Sequence, residues 1–204
     1  MRHVYVVDDD DPVRASLETL LSTRPNLQIR GFRNGDDFQA ELAGLEPGVV
    51  LLDVNMPGSS GLDVLRVLRA HGARFLAIII TGQGNVALAV HAMKAGALDF
   101  IEKPFEHGAL LATIDGAFAL LEQKAALAAR IEAARERIDR LSTRENQVLM
   151  GLIEGRPNKI IAHELDISPR TVEIHRANLM EKLEVRSLSE ALRVAFAAGL
   201  VHEA

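Results

Sequence analysis

A short apolar run followed by an amphipathic stretch of helical period recurs five times before about residue 121. The strand candidates fall at 4–7, 27–32, 49–54, 75–81 and 98–102, and the helical stretches near 12–22, 35–44, 61–71 and 85–95, with a fifth starting near Glu106. Residues 49–52 and 77–80 are apolar without a break, as strands covered on both faces are. Parallel neighbours need a crossover, and helices supply it, so the alternation predicts an α/β fold: a doubly wound, five-stranded parallel sheet of flavodoxin-like form. Asp11 is expected to cap the first helix, with Pro12 at its first helical position.

After residue 121 the pattern changes. Residues 119–141 lack Gly and Pro, and Leu120, Lys124, Leu127, Ile131, Ala134, Ile138 and Leu141 step by four and three. That heptad predicts a helical linker over 122–140, with Ile131 and Ile138 in the seam of a possible two-stranded coiled coil. The other reading is an amphipathic helix packed against its own chain. From residue 141 to 204 four short helices follow, near 143–154, 158–165, 169–183 and 188–198, making an all-α second domain.

Composition narrows the classes. The 204 residues are 48% hydrophobic and 25% charged, ordinary globular values, and the absence of Cys removes disulfide scaffolds and thiolate chemistry. No signal-peptide pattern precedes the aspartates at 8–11, and no apolar run approaches the ~20 residues of a membrane span, so a cytoplasmic protein without membrane contact is expected. The net charge of −5 resides in residues 1–121, whereas 141–204 is close to neutral. A neutral helical domain argues against nucleic acid unless motifs outweigh charge.

In a doubly wound sheet, ligands sit beyond the carboxyl ends of the strands. Asp8 and Asp9 follow the first strand, Asp53 and then Asn55 the third, Thr81 ends the fourth, and Lys103 precedes Pro104 after the fifth. Such a set suits Mg²⁺, a hard cation that takes one or two carboxylates and keeps water. A carboxylate there can accept a phosphoryl group, with the cation, Thr81 and Lys103 neutralising its oxygens. Taken singly, each of these residues has a plainer use in a turn, cap or strand; their convergence on one sheet edge favours the site. Residues 82–87 spell GxGxxA, a dinucleotide-binding pattern, but after the fourth strand and not the first.

In the last domain, a wheel over 169–183 puts Val172, Leu179 and Leu183 on one face, flanked by His175, which is expected to be structural. Arg170, Glu173, Ile174, Ala177, Asn178 and Glu181 fall on the opposite face. In a major groove Glu173 can accept from cytosine, Asn178 can pair with adenine and Ile174 can meet a thymine methyl. Lys159, Arg170, Arg176 and Lys182 are candidates for phosphate contacts. A protein-interaction module explains the same pattern equally well from the residues alone.

Val-Val-Asp8-Asp9, Leu-Leu-Asp53-Val-Asn55-Met-Pro57-Gly, Thr81-Gly and Lys103-Pro104 together resemble the receiver domain of two-component response regulators. Leu141-Ser142-Thr143-Arg144-Glu145, Asn158-Lys159-x-Ile-Ala162, Leu165-x-Ile167-Ser168 and Thr171-Val172-x-x-His175 to Lys182-Leu183 resemble the LuxR-type helix-turn-helix. The whole chain thus resembles the NarL/FixJ class, and Ile-Ser-Pro-Arg-Thr-Val-Glu-x-His-Arg-Ala-Asn its FixJ branch. The resemblance implies that Asp53 accepts phosphate from a sensor histidine kinase. It also implies Mg²⁺ at Asp8, Asp9, Asp53 and the Asn55 carbonyl, a cis peptide before Pro104, and Phe100 as an aromatic that turns inward when Thr81 moves. It implies promoter DNA bound as a homodimer, with RNA polymerase as partner if transcription is activated, and adds Thr171 to the DNA-facing set. The last helix often takes part in pairing in that class. Glu173 and Ala177 depart from it, standing where a DNA reader would carry Lys.

The face of the fourth helix and fifth strand (Ala87, Val90, His91, Lys94, Asp99) is the expected dimer contact after phosphorylation. Pairing in both states through the linker is the alternative. Two other classes stay in view: an output domain that binds a protein partner, and a phosphohydrolase, which lacks a further acid or base near Asp53.

Overall fold

The computed structural model describes residues 1–82 and 86–200, in two compact units, Met1–Ala125 and Ala126–Ala204. The first unit runs β1 (Arg2–Val7), α1 (Asp11–Leu21), β2 (Leu27–Phe32), α2 (Gly35–Glu41), β3 (Gly48–Leu52), α3 (Gly61–Ala70), β4 (Phe75–Thr81), α4 (Val86–Ala95), β5 (Asp99–Glu102) and the first part of α5 (His107–Asp139). All strand pairs are parallel, in the order β2-β1-β3-β4-β5. This is the doubly wound sheet that the alternation predicts.

Because side chains alternate across a strand, the sheet carries two cores. Val4, Val6, Val49, Leu51, Ile78 and Ile80 pack with Leu17 and Leu21 of α1 and Leu110 and Ile114 of α5. Tyr5, Val7, Val50, Leu52, Ala77 and Ile79 pack with Phe38 of α2 and Val64, Leu65 and Leu68 of α3. Every residue of β3 and β4 is buried. Register then decides what leaves each strand. Val7 lies beside Leu52, and slipping β1 by one residue would put the Asp8 carboxylate in the core position of Val7, an uncompensated charge.

One capping detail differs from expectation. The α1 N-cap is Asp10, whose Oδ1 accepts from Val13 N at 3.2 Å. Asp11 is instead the first helical residue and pairs with Arg14, so Pro12 falls one position later than expected. Part of the GxGxxA spelling, residues 83–85, lies outside the described residues.

The second unit contains the end of α5, then α6 (Thr143–Ile153), α7 (Asn158–Glu164), α8 (Pro169–Lys182) and α9 (Leu188–Ala197). Ser142, Ser168 and Ser187 cap α6, α8 and α9, each accepting from the N–H three residues on at 3.1–3.3 Å. Caps of this kind contribute about 1 kcal/mol each. The core is built from Val148, Leu149, Leu152, Ile161, Ala162, Val172, Leu179, Leu183, Ala191 and Ala195, and it includes Ile138 from α5.

That inclusion corrects the seam. Ile138 is 7% exposed inside its own unit, and Leu120 packs against the receiver-side core. Ile131 is half-buried, and of the large apolar seam residues only Leu127, at 57%, stands well out. A heptad and an amphipathic helix lying on its own chain share nearly the same period over so few turns, and here the second reading holds for Ile138.

Candidate functional site

The ladder continues one residue past the strands. Asp53 N donates to Val7 O at 2.9 Å, Asp8 N to Phe32 O at 3.2 Å and Lys103 N to Thr81 O at 2.8 Å. The backbone therefore places Asp8, Asp53, Thr81 and Lys103 at one edge, at the switch point where β1 lies between β2 and β3. Asp8 and Asp53 are 3% and 7% exposed and Thr81 is fully buried.

Lys103 Nζ donates to Asp8 Oδ2 at 2.7 Å and to Asp53 Oδ1 at 3.0 Å. The remaining carboxylate oxygens are also held: Asp53 Oδ2 accepts from Asn55 N at 2.7 Å and Asp8 Oδ1 from Asp10 N at 3.0 Å. Burial pulls the Lys103 ammonium toward neutrality, but hydrogen bonds to Asp8 and Asp53 and their charges outweigh it, so its pKa lies above the ordinary lysine value. The peptide before Pro104 is cis, as the resemblance implies.

Asp9 does not join the cluster as expected. It is exposed, and among the described residues no three His, Cys, Asp or Glu side chains gather as a metal site. Two buried carboxylates, Asp8 and Asp53, converge on Lys103, while Asp9 is exposed. Two carboxylates sharing one ammonium keep a net negative charge, a donor set that fits a hard cation carrying its own water. Asn55 is exposed at the same edge, and Phe100 is half-buried against the α3–α4 side core.

Two neighbours were not legible as site residues. Arg14 Nη1 donates to the Asp8 carbonyl at 2.7 Å and anchors the loop; an Arg on an early helical turn carries no such signal. Gly61 opens α3 so close to the third strand's end that a Cβ would lie 2.2 Å from Asp53 O. A glycine after a capping Ser60 reads only as a helix start.

On the expected dimer face, Ala87, Val90, His91 and Lys94 are exposed, and Asp99 is half-buried with Oδ1 accepting from Phe100 N at 2.8 Å. The apolar stripe there is longer than expected: Val86, Val90 and Met93 are 81%, 47% and 48% exposed, at i, i+4 and i+7.

In the second unit, α7 and α8 form the helix-turn-helix. Val172, Leu179 and Leu183 are fully buried, whereas Glu173, Ile174, Ala177 and Asn178 are exposed along α8 and His175 is half-buried. Lys159 is exposed. Arg170 is exposed but paired with Glu173 at 3.0 Å, and Arg176 Nη1 donates to Asn158 Oδ1 at 2.7 Å. Thr171 is half-buried, its hydroxyl 2.8 Å from that of the capping Ser168.

Lys182 departs from the expected phosphate set, because its Nζ lies 2.6 Å from Oε2 of the buried Glu145. Burial raises the Glu145 pKa, but hydrogen bonds from Lys182 and from Ser142 outweigh it and hold the carboxyl below its usual range. The pair ties the end of α8 to the start of α6.

Comparison with known proteins agrees with this architecture. The response regulator receiver domain family matches residues 4–115, and the luxR family of bacterial regulatory proteins matches residues 139–195. The transcriptional regulatory protein FixJ of Bradyrhizobium diazoefficiens is 45% identical over 201 residues, 98% of each chain. Among solved structures, the response regulator StyR superposes with a TM-score of 0.84 at 36% identity, covering 96% of this chain and 98% of that one. Full-length FixJ from B. japonicum gives 0.60 at 45% identity over 98% of each. With both domains matched and the relatives covered almost end to end, the chain belongs to the two-component response regulators, as a FixJ-like transcriptional regulator joining a receiver domain to a LuxR-type DNA-binding domain.

Proposed function

We propose that Asp53 is the phosphoacceptor and that its phosphorylation drives pairing of the chain on promoter DNA. The observation that carries this reading is the ammonium of Lys103 bridging Asp8 and Asp53 at the switch point. In the transfer, a carboxylate oxygen of Asp53 forms a bond to phosphorus while the bond to the imidazole nitrogen of the kinase's phosphohistidine breaks. The electron pair leaves with that nitrogen. Lys103 then neutralises an oxygen of the new acyl phosphate, and Thr81 contacts another.

Asp8, Asp9, Asp53 and the Asn55 carbonyl would hold Mg²⁺. Bound there, the cation supplies charge neutralisation on the phosphoryl oxygens. Among the described residues the buried carboxylates at this edge are Asp8 and Asp53, joined by Lys103, a set suited to the protein's own phosphorylation and slow dephosphorylation.

Movement of Thr81 toward the phosphoryl group draws Phe100 inward, and the altered α4–β5 face (Val90, His91, Lys94, Asp99) pairs with a second copy. Two α8 helices then reach adjacent half-sites. Glu173, Ile174, Ala177 and Asn178 face the bases, and Lys159, Arg170 and Arg176 face phosphates. RNA polymerase is the further partner if the output is activation. Among the described residues no helix is long and apolar enough to cross a membrane, which accords with work in the cytoplasm.

Sedimentation velocity with and without Mg²⁺ plus beryllofluoride tests this. A monomer that becomes a dimer, with Asp53→Asn unresponsive, is expected. A dimer in both conditions moves the switch into α5, and a monomer in both refutes pairing.

A further inference from the structure

The basic side chains along α7 and α8 are held in different ways. Arg170 is paired with Glu173, and Lys182 with Glu145, so each charge is offset locally. Arg176 is held by a neutral oxygen: its Nη1 donates to Oδ1 of Asn158, the first residue of α7, at 2.7 Å. Both partners are half-buried, and Lys159 beside Asn158 is exposed.

The choice of partner matters physically. A carboxylate at 158 would fix the guanidinium and cancel its charge, whereas an amide oxygen fixes it and leaves the charge intact. One N–H of five goes to Asn158, and the rigid fork keeps the others for an anion. Holding a long side chain in place before binding removes an ordering cost that would otherwise weaken the contact.

We infer that Asn158 is a positioning residue for DNA: it orients Arg176 so that, with Lys159, the α7–α8 seam clamps a backbone phosphate. The inference rests on the DNA-binding reading above. It gives Asn158 a role distinct from a staple between two helices, because a staple is indifferent to whether Arg176 keeps its charge.

The test uses the full chain with Mg²⁺ and beryllofluoride. Fluorescence anisotropy on a short duplex of arbitrary sequence is followed through a potassium chloride series, and thermal melting is recorded alongside. Arg176→Ala is expected to reduce the slope of log K against log salt by about 0.9, one phosphate contact, which is about eightfold in affinity at ~0.1 M salt. Asn158→Ala is expected to reproduce most of that loss, and the double variant to bind no more weakly than Arg176→Ala alone. Asn158→Asp keeps the acceptor, so its melting temperature is expected to stay at or above wild type while its affinity falls.

Wild-type slopes in Asn158→Ala and Asn158→Asp, with lowered melting in Asn158→Ala, would reduce the contact to a staple and overturn the inference. Additive losses in the double variant would overturn it as well. If the wild type binds no duplex at any salt, this inference and the DNA-binding reading fall together.

Discussion

Ile138→Ala separates two jobs that one helix position can do. Ile138 is 7% exposed and packs in the core of the 126–204 unit. The substitution removes three carbons, about 2.4 kcal/mol at ~0.8 kcal/mol per buried carbon. The cavity left behind adds to this, bringing the loss to about 3 kcal/mol, within the ~2–5 kcal/mol seen for such truncations. For a unit of this size each kcal/mol lowers the melting temperature by about 4–8 °C, so a fall of about 12–24 °C is expected. Each unit has its own core, and calorimetry of the full chain reads the two transitions. The second should fall, the receiver transition should stay, and sedimentation should show unchanged association. Leu127→Ala, at a site 57% exposed, should move neither by more than ~0.5 kcal/mol. An Ile138→Ala variant that melts normally but associates less would refute the reasoning and restore the seam.

Three further outcomes are expected. Gly61→Ala places a Cβ 2.2 Å from Asp53 O and 2.9 Å from Val54 Cα; this should cost about 1–3 kcal/mol and weaken beryllofluoride binding seen by fluorine NMR, and unaltered binding would mean that α3 yields without moving Asp53. Lys103→Met leaves Asp8 and Asp53 facing each other without a cation. The receiver should lose about 3 kcal/mol in denaturant melts, and adding Asp8→Asn to Lys103→Met should recover part of it; no recovery would contradict the charge argument. Glu145 has a depressed pKa, so its stabilisation is present above the usual carboxylate range and is lost as pH falls through the lower folded value. The melting temperature of the second unit should therefore drop more steeply in acid than that of Glu145→Gln, and parallel curves would contradict this.

Much of the receiver site was legible because its residues are defined by where strands stop. Asp8 and Asp53 each follow an apolar run directly and Lys103 follows the end of the fifth strand, and parallel pairing carries strand ends to one edge whatever the details of packing. What lay beyond reach depends on direction and distance within that edge. Asp8 and Asp9 are equivalent in composition, yet one is buried and the other exposed. Arg14 and Gly61 act on the backbone of Asp8 and Asp53, and neither bears a residue type that announces it.

The helical half shows a sharper version of the same limit. Periodicity states that α5 has an apolar face but not what covers it: the same steps place Leu120 and Ile138 in different cores and leave Leu127 in solvent. Charge misleads in the opposite way. Lys182 belongs to α8 and counts as basic, yet its ammonium is held by Glu145 and contributes little field outside the unit. Arg170 is similarly offset by Glu173. The near-neutral net charge of 141–204 therefore sums groups already paired with others that are free to act. Of the Lys and Arg side chains on α7 and α8, Lys159 and Arg176 have no carboxylate partner among the described residues, so a domain with no net positive charge can still present two uncancelled cations at one seam.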